Sequence, residues 1–118
     1  MFNILDFTKD NLIAFRVEGK VEEKDYEKLN ALLEKTQRDH DTLKLYIEIK
    51  ELEGIEPMAL WEDFKTYFKH VRKADKIAIV GYGDLMKGLS KLSNPFVSGE
   101  VKFFEEKEVH LAKQWVEI

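Results

Sequence analysis

The glycine pair Gly81 and Gly83 is the part of the sequence whose residue types and spacing come nearest to phosphate-binding chemistry. It follows the apolar run IAIV and precedes Asp84 and a helical pattern. At such a strand-to-helix turn, backbone N–H groups and the helix dipole favour an anion. The segment has neither the G-x-G-x-x-G spacing nor a Gly-Lys-Ser/Thr sequence. Because the Asp84 carboxylate is placed to cap the same N–H groups, we predict a capped structural turn.

Apolar residues at helical spacing form a second candidate site. After Pro57, aromatic residues recur along one helical pattern, and the next pattern, 84–96, is also rich in apolar residues. A wide apolar stripe of this kind usually belongs to the core. Two such helices on one edge of a small sheet could instead leave an apolar pocket between them, to which methionine adapts well. The residues predicted to line this pocket are Trp61, Phe64, Phe68, Met86 and Leu89.

Charge changes sign along the first of these helices. Five acidic residues and no basic residue lie between positions 51 and 64, whereas positions 65–76 are mainly basic. A basic, aromatic helix is suited to an anionic membrane surface, where each well-placed cation contributes about 1 kcal/mol. The alternative is that these cations only complement the carboxyl end of the helix dipole. The cations predicted to contact head groups are Lys65, Lys69, Arg72 and Lys73.

Residues for catalysis or metal binding are poorly represented. The three histidines, His40, His70 and His110, fall on different predicted elements without the spacing of metal ligands. No serine lies in a nucleophile elbow, and the chain has no cysteine. The sequence therefore predicts a protein that is not an enzyme, with no catalytic residues, no cofactor and no metal site.

Composition narrows the class of protein and of partner. A chain of 118 residues is enough for one domain, residues 1–118, and its net charge of −4 argues against nucleic-acid binding. The absence of cysteine fits a reducing cytoplasm. The amino terminus has no signal-peptide pattern, and no apolar run reaches the ~20 residues that span a bilayer. We expect a cytoplasmic protein, with any membrane contact peripheral.

Hydrophobic periodicity predicts an α/β domain with the order β-β-α-β-α-β-α-β-α. Alternating strands and helices favour a mostly parallel, mixed five-stranded sheet with four helices, in which the first strand is the antiparallel partner. The predicted strands are 2–7, 11–19, 43–50, 76–80 and 101–104, and the predicted helices are 22–40, 58–73, one beginning at Asp84, and 105–118.

Two of these elements carry predictions about burial. In the strand 43–50, apolar and polar residues alternate, which predicts one buried face and one less buried face that includes Tyr46 and Glu48. In the last helix, the residues predicted to face inward are Val109, Leu111, Ala112, Trp115 and Val116.

The segments IAIVGYGDLMKGLSKLSNPF and GEVKFFEEKEVHLAKQWV resemble the SpoIIAA-like family, a branch of the STAS group of sulfate transporter and anti-sigma-factor antagonist domains. The similarity lies in an apolar strand that ends in glycine, a helix that ends near Pro95, a strand that ends in Phe104, and Ala112 and Trp115 on the last helix. It implies a small, generally non-enzymatic α/β domain with helices mostly on one face. Members of this kind are associated with membrane surfaces and with apolar ligands held between helices.

One family feature is missing. Anti-sigma antagonists carry a phosphorylatable serine in the loop after the third strand, but residues 51–57 contain neither serine nor threonine. Phosphorylation needs a hydroxyl group, so this switch cannot operate here. The leading hypothesis is a domain that binds an apolar small molecule, a lipid or a membrane surface through helices 57–73 and 84–96. The alternative is a protein-interaction module that uses the acidic loop 51–56, and an exposed sheet edge would permit a homodimer.

Overall fold

A five-stranded sheet forms the centre of the computed structural model, which describes residues 1–67, 74–82 and 99–118. The strands are β1 (Phe2–Ile4), β2 (Leu12–Lys20), β3 (Leu43–Glu53), β4 (Ala74–Gly81) and β5 (Glu100–Glu105). The helices described are α1 (Glu23–Asp39), α2 (Pro57–Tyr67) and α3 (Val109–Glu117), and a 3-10 turn, Glu106–Glu108, precedes α3.

The predicted α/β class and mixed five-stranded sheet are confirmed. The described residues contain three α-helices where the sequence predicts four, because the helix predicted from Asp84 lies outside them. The third strand is longer than the predicted range 43–50 and continues to Glu53. Glu51 and Glu53, predicted to lie in a loop, therefore belong to the end of a strand.

The strands lie side by side in the same order as they occur in the chain. The antiparallel pair is β1 and β2, and β2, β3, β4 and β5 run parallel to one another. Gly99 lies just before β5, and a Cβ atom there would lie 2.2 Å from the carbonyl oxygen of Ala74. Only glycine allows the chain to approach β4 this closely.

The two faces of the sheet are covered by different helices. Odd-numbered residues of β2 and β3, such as Phe15 and Ile47, belong to the core cluster that contains side chains of α1 and α2. Even-numbered residues, such as Ala14 and Tyr46, belong to a second cluster with Ala112 and Val116 of α3. Right-handed crossovers that all advance in one direction place their helices on one face. Because α3 follows the last strand and is not a crossover, it can cover the other.

Coverage by α3 corrects two sequence predictions. Tyr46 and Glu48, predicted to lie on a less buried face of β3, are 0% and 3% exposed. Leu111, predicted to face inward, is 55% exposed. A helix of nine residues buries one narrow stripe, here Ala112 and Val116, and Leu111 lies beside that stripe.

Aromatic side chains from α1, α2 and the first two strands meet in the larger core cluster. The Phe64 ring of α2 lies 6.2 Å from Phe2, 6.4 Å from Phe15 and 6.3 Å from Tyr26. The Tyr26 hydroxyl also donates a hydrogen bond of 2.9 Å to Oδ2 of Asp63, which links α1 to α2. Phe64 therefore anchors α2 to the amino-terminal half of the sheet.

We expect Phe64→Ala to lower the free energy of unfolding by about 3–5 kcal/mol, because it removes a fully buried ring and leaves a cavity. Met58→Ala on the same helix is the matched control. Its side chain is 51% exposed, and its loss should change the free energy of unfolding by no more than about 0.5 kcal/mol. Urea denaturation followed by circular dichroism measures both, and equal effects would contradict the packing described for α2.

Candidate functional site

The structure places two of the predicted pocket residues, Trp61 and Phe64, in the core between α2 and the sheet. They are 2% and 1% exposed. Phe64 is directed towards β1 and β2, whereas the Trp61 ring lies 6.1 Å from the Phe103 ring of β5. The two side chains thus point towards opposite edges of the sheet.

The other predicted site residues fall outside the part of the chain that the structure describes. This applies to the capped turn at Gly83 and Asp84 and to the side chain of Lys65, whose backbone belongs to α2. It also applies to the remaining pocket and head-group residues, which are Phe68, Lys69, Arg72, Lys73, Met86 and Leu89. The pocket between α2 and segment 84–96 stays a prediction.

A buried polar network on the α3 side of the sheet was not predicted from the sequence. Its centre is the Glu48 carboxylate of β3. Arg16 Nε of β2 donates to Oε1 at 3.0 Å, and the Tyr46 hydroxyl donates to Oε2 at 2.7 Å. The Tyr82 hydroxyl, just after β4, lies 3.5 Å from Oε1. The network therefore connects three neighbouring parallel strands.

The register of the sheet explains why these side chains meet. Arg16 is the direct partner of Glu48 across β2 and β3, and Tyr46 lies two residues before Glu48 on the same face. The interior disfavours an unpaired carboxylate strongly, so the three donors offset the cost of burying Glu48. The hydrogen bond to Glu48 in turn raises the pKa of Arg16, which stays charged at every physiological pH.

Both tyrosines of the network are held in their neutral form. Burial raises the pKa of Tyr46 far above its ordinary range, and the hydrogen bond to Glu48 and its negative charge raise it further. Burial, followed by the charge of Glu48, also raises the pKa of Tyr82. Neutral tyrosine is thus favoured by folding. This preference for the neutral form contributes stability that is fully present below the ordinary tyrosine pKa of about 10. The contribution is lost as the pH rises through the raised pKa values of Tyr46 and Tyr82.

A groove lies at the carboxyl ends of the parallel strands, next to this network. Its volume is about 400 Å³. A second groove of about 520 Å³ on the β1 side shares Glu18 and Glu51 with the first. The Lys50 ammonium lies 4.9 Å from the centroid of the Tyr82 ring. The residues that line the first groove are Glu18, Lys50, Glu51, Tyr82 and Glu106.

The Glu48 carboxylate next to this groove has a structural role. Both oxygens of Glu48 already accept hydrogen bonds, and the residue is 3% exposed, so it is not available as a general base. Lys50 over Tyr82 shows that this aromatic ring accommodates an ammonium group. Among the described residues, no group of acidic or histidine side chains is placed to hold a metal ion.

One feature of the sequence indicates the buried polar network. Arg16 and Glu48 are charged residues near the middle of predicted strands that are neighbours in a parallel sheet. Charged residues at such positions are expensive unless they are paired. The alternation of β3 indicates the opposite, because it predicts that Tyr46 and Glu48 lie on a less buried face.

Within the described ranges, no helix has the length and apolar character needed to cross a bilayer.

Comparisons with known proteins identify the type of domain. The sequence model of the SpoIIAA-like family matches residues 12–117. A solved structure of an uncharacterized protein of the DUF3478 family with a SpoIIAA-like fold, from Shewanella loihica, is 34% identical, covers 98% of this chain and 92% of its own, and aligns with a TM-score of 0.67. No curated protein sequence matches the chain.

We expect Glu48→Gln to lower the free energy of unfolding by roughly 1–3 kcal/mol, because it removes the counter-charge of Arg16 and weakens a buried hydrogen bond. Tyr46 should also begin to ionise at a lower pH, since the negative charge that raises its pKa is gone. Urea denaturation and alkaline absorbance titration measure the two effects. Glu53→Gln, an exposed residue on the same strand, is the control and should change neither. An unchanged tyrosine titration in Glu48→Gln would contradict the role given to Glu48.

Proposed function

Because the chain belongs to the SpoIIAA-like family, we propose that it is a non-enzymatic binding domain that holds an apolar or lipid-like ligand between α2 and segment 84–96. The observation that supports this proposal is the contact between Trp61 and Phe103. Trp61 is fully buried, but Phe103 and its neighbour on the same face of β5, Val101, are only partly buried. The aromatic side of α2 thus adjoins apolar side chains of β5 that are only partly buried.

The ligand would lie beside Trp61 and Phe103, and Phe68, Met86 and Leu89 would complete the pocket. Phe64 supports this arrangement from the same face of α2, because its contacts with Phe2 and Phe15 fix the helix on the sheet. Lipid-binding pockets are mostly apolar and need few polar groups. Movement of α2 and segment 84–96 would open the pocket.

Contact with a membrane surface belongs to the same proposal. Lys65, Lys69, Arg72 and Lys73 would meet anionic head groups while the pocket exchanges its ligand with the bilayer. Each well-placed cation would contribute about 1 kcal/mol, and salt would weaken the contact. The protein would then be cytoplasmic and peripheral at the membrane.

A protein-interaction module is the second candidate function, and the carboxyl edge of the sheet favours it. Glu18 and Glu51 line both grooves. The larger groove has three further carboxylates, those of Glu22, Asp25 and Glu53. This edge would take a basic segment of a signalling partner without phosphorylation, since the loop after β3 lacks a hydroxyl. The two functions use different parts of the fold and can be separated by mutation.

We expect the methyl ester of a brominated fatty acid, an uncharged probe, to quench the fluorescence of Trp61, because bromine quenches tryptophan only at short range. The chain has two tryptophans, so Trp115→Phe leaves Trp61 as the reporter. Titration with brominated methyl stearate should give saturable quenching in this variant. Native mass spectrometry and analysis of an organic extract should identify a lipid that co-purifies with the wild-type protein.

The matched control is Trp61→Phe, in which Trp115 on the opposite face of the sheet is the reporter. The same titration should leave its fluorescence unchanged. Equal quenching of both variants would indicate non-specific association with the uncharged ester. If Trp61 is not quenched and no lipid co-purifies, the pocket proposal fails.

For the second candidate, we expect a pull-down with the wild-type chain to recover a partner that Glu53→Lys no longer recovers. Reversal of this charge places an ammonium where a basic partner would have to approach. Glu53→Gln should retain part of the binding, because it removes attraction without adding repulsion. Recovery of the same partner by Glu53→Lys at equal levels would rule out the acidic edge as its docking site.

A further inference from the structure

Two lysine ammonium groups converge on the Trp115 ring, on the face of the sheet that α3 covers. Lys76 Nζ of β4 lies 5.3 Å from the ring centroid, and Lys102 Nζ of β5 lies 5.1 Å from it. The lysines are diagonal neighbours, since the direct partner of Lys102 across the strands is Ala78. The two nitrogens can be no further apart than the sum of their distances to the ring.

Neither ammonium makes an ion pair with a carboxylate of the described residues. Lys76 Nζ donates instead to the backbone oxygen of Trp115 at 3.2 Å. Glu100 is the direct partner of Lys76 across β4 and β5, but no ion pair joins the two. Each ammonium has three N–H donors. With respect to the described residues, donors are therefore left over at both lysines, and their positive charges repel each other.

We propose that Lys76, Lys102 and Trp115 form a binding site for a phosphate or carboxylate group. An anion between the lysines would accept a charge-assisted hydrogen bond from each. A phosphate group that accepts one such bond from each lysine needs the two nitrogens to be roughly 8 Å apart. This separation is smaller than the sum of their distances to the Trp115 ring, so the positions of the nitrogens permit it. The Phe104 ring, 6.0 Å from Trp115, holds the indole in place.

The surroundings favour an anionic group attached to an apolar one. Leu111 lies one turn before Trp115 on α3 and is 55% exposed. An apolar substituent could cover Leu111 and the indole while the anion meets the lysines. A soluble phosphate ester and the head group of an anionic lipid both have this chemistry. The site lies on the opposite face of the sheet from Trp61 and does not depend on the proposed pocket.

Fluorine NMR of wild-type protein labelled with fluorotryptophan tests the site directly. Trp115→Phe assigns the two resonances. Inorganic phosphate should shift the Trp115 resonance saturably and leave that of Trp61 in place. Lys76→Gln and Lys102→Gln should each weaken the affinity about fivefold to tenfold, because each removes one charged donor. Glu100→Gln should strengthen it, since a nearby negative charge is lost.

Lys113→Gln is the matched control. Its ammonium also lies over aromatic rings, 5.6 Å from Phe7 and 6.0 Å from Tyr46, but no second lysine shares those rings among the described residues. Its substitution should leave phosphate affinity unchanged. An equal loss in Lys113→Gln and Lys102→Gln would overturn the site, because the effect would then reflect net charge alone.

Vesicles distinguish the two sources of the anion. Co-sedimentation with phosphatidylglycerol vesicles, but not with phosphatidylcholine vesicles, that is weakened by Lys102→Gln would assign the site to lipid head groups. A saturable phosphate shift without such co-sedimentation would assign it to soluble phosphate esters. If neither phosphate nor phosphatidylglycerol vesicles bind in a way that depends on Lys76 and Lys102, the proposal is wrong.

Discussion

Burial of the Glu48 carboxylate in the middle of β3 is the constraint on which one whole face of the sheet depends. A charge in the interior must be compensated where it lies. Arg16 on β2, Tyr46 on the same strand and Tyr82 after β4 supply that compensation. The network therefore fixes the register of three strands in addition to their hydrogen bonds. Beside the network, α3 packs on the apolar part of the same face, around Ala78 and Ala112.

The burial of this face shows how far the sequence could predict the fold. Strands with clear alternation, and helices with apolar stripes, were located to within a few residues, and the parallel order followed from crossovers long enough to hold helices. The same alternation was misleading for β3, since Tyr46 and Glu48 occupy positions that usually face solvent. Local periodicity shows which residues share a face, but only tertiary packing decides whether a helix covers that face.

The candidate sites show the same limit. The aromatic pattern after Pro57 correctly marked α2, yet a pattern of this kind has the same appearance whether a ring lies in the core or beside a cavity. Phe64, among Phe2, Phe15 and Tyr26, is core. The lysines around Trp115 give no signal in the sequence, because Lys76 and Lys102 are far apart in the chain and meet only through the pairing of β4 with β5. Sites built from cross-strand neighbours need the register before they can be recognised.

The order of the strands has a consequence for how the chain assembles. Each strand pairs with the one that precedes it in the sequence, so the sheet never has to open a gap between two formed strands to admit a later one. It can grow at one edge as the chain leaves the ribosome, with α1 and α2 closing over each new strand pair. The face beneath α3 is completed last, because that helix follows β5. Tyr46, which shares a cluster with Ala112 and Val116, is therefore fully covered only once α3 is in place.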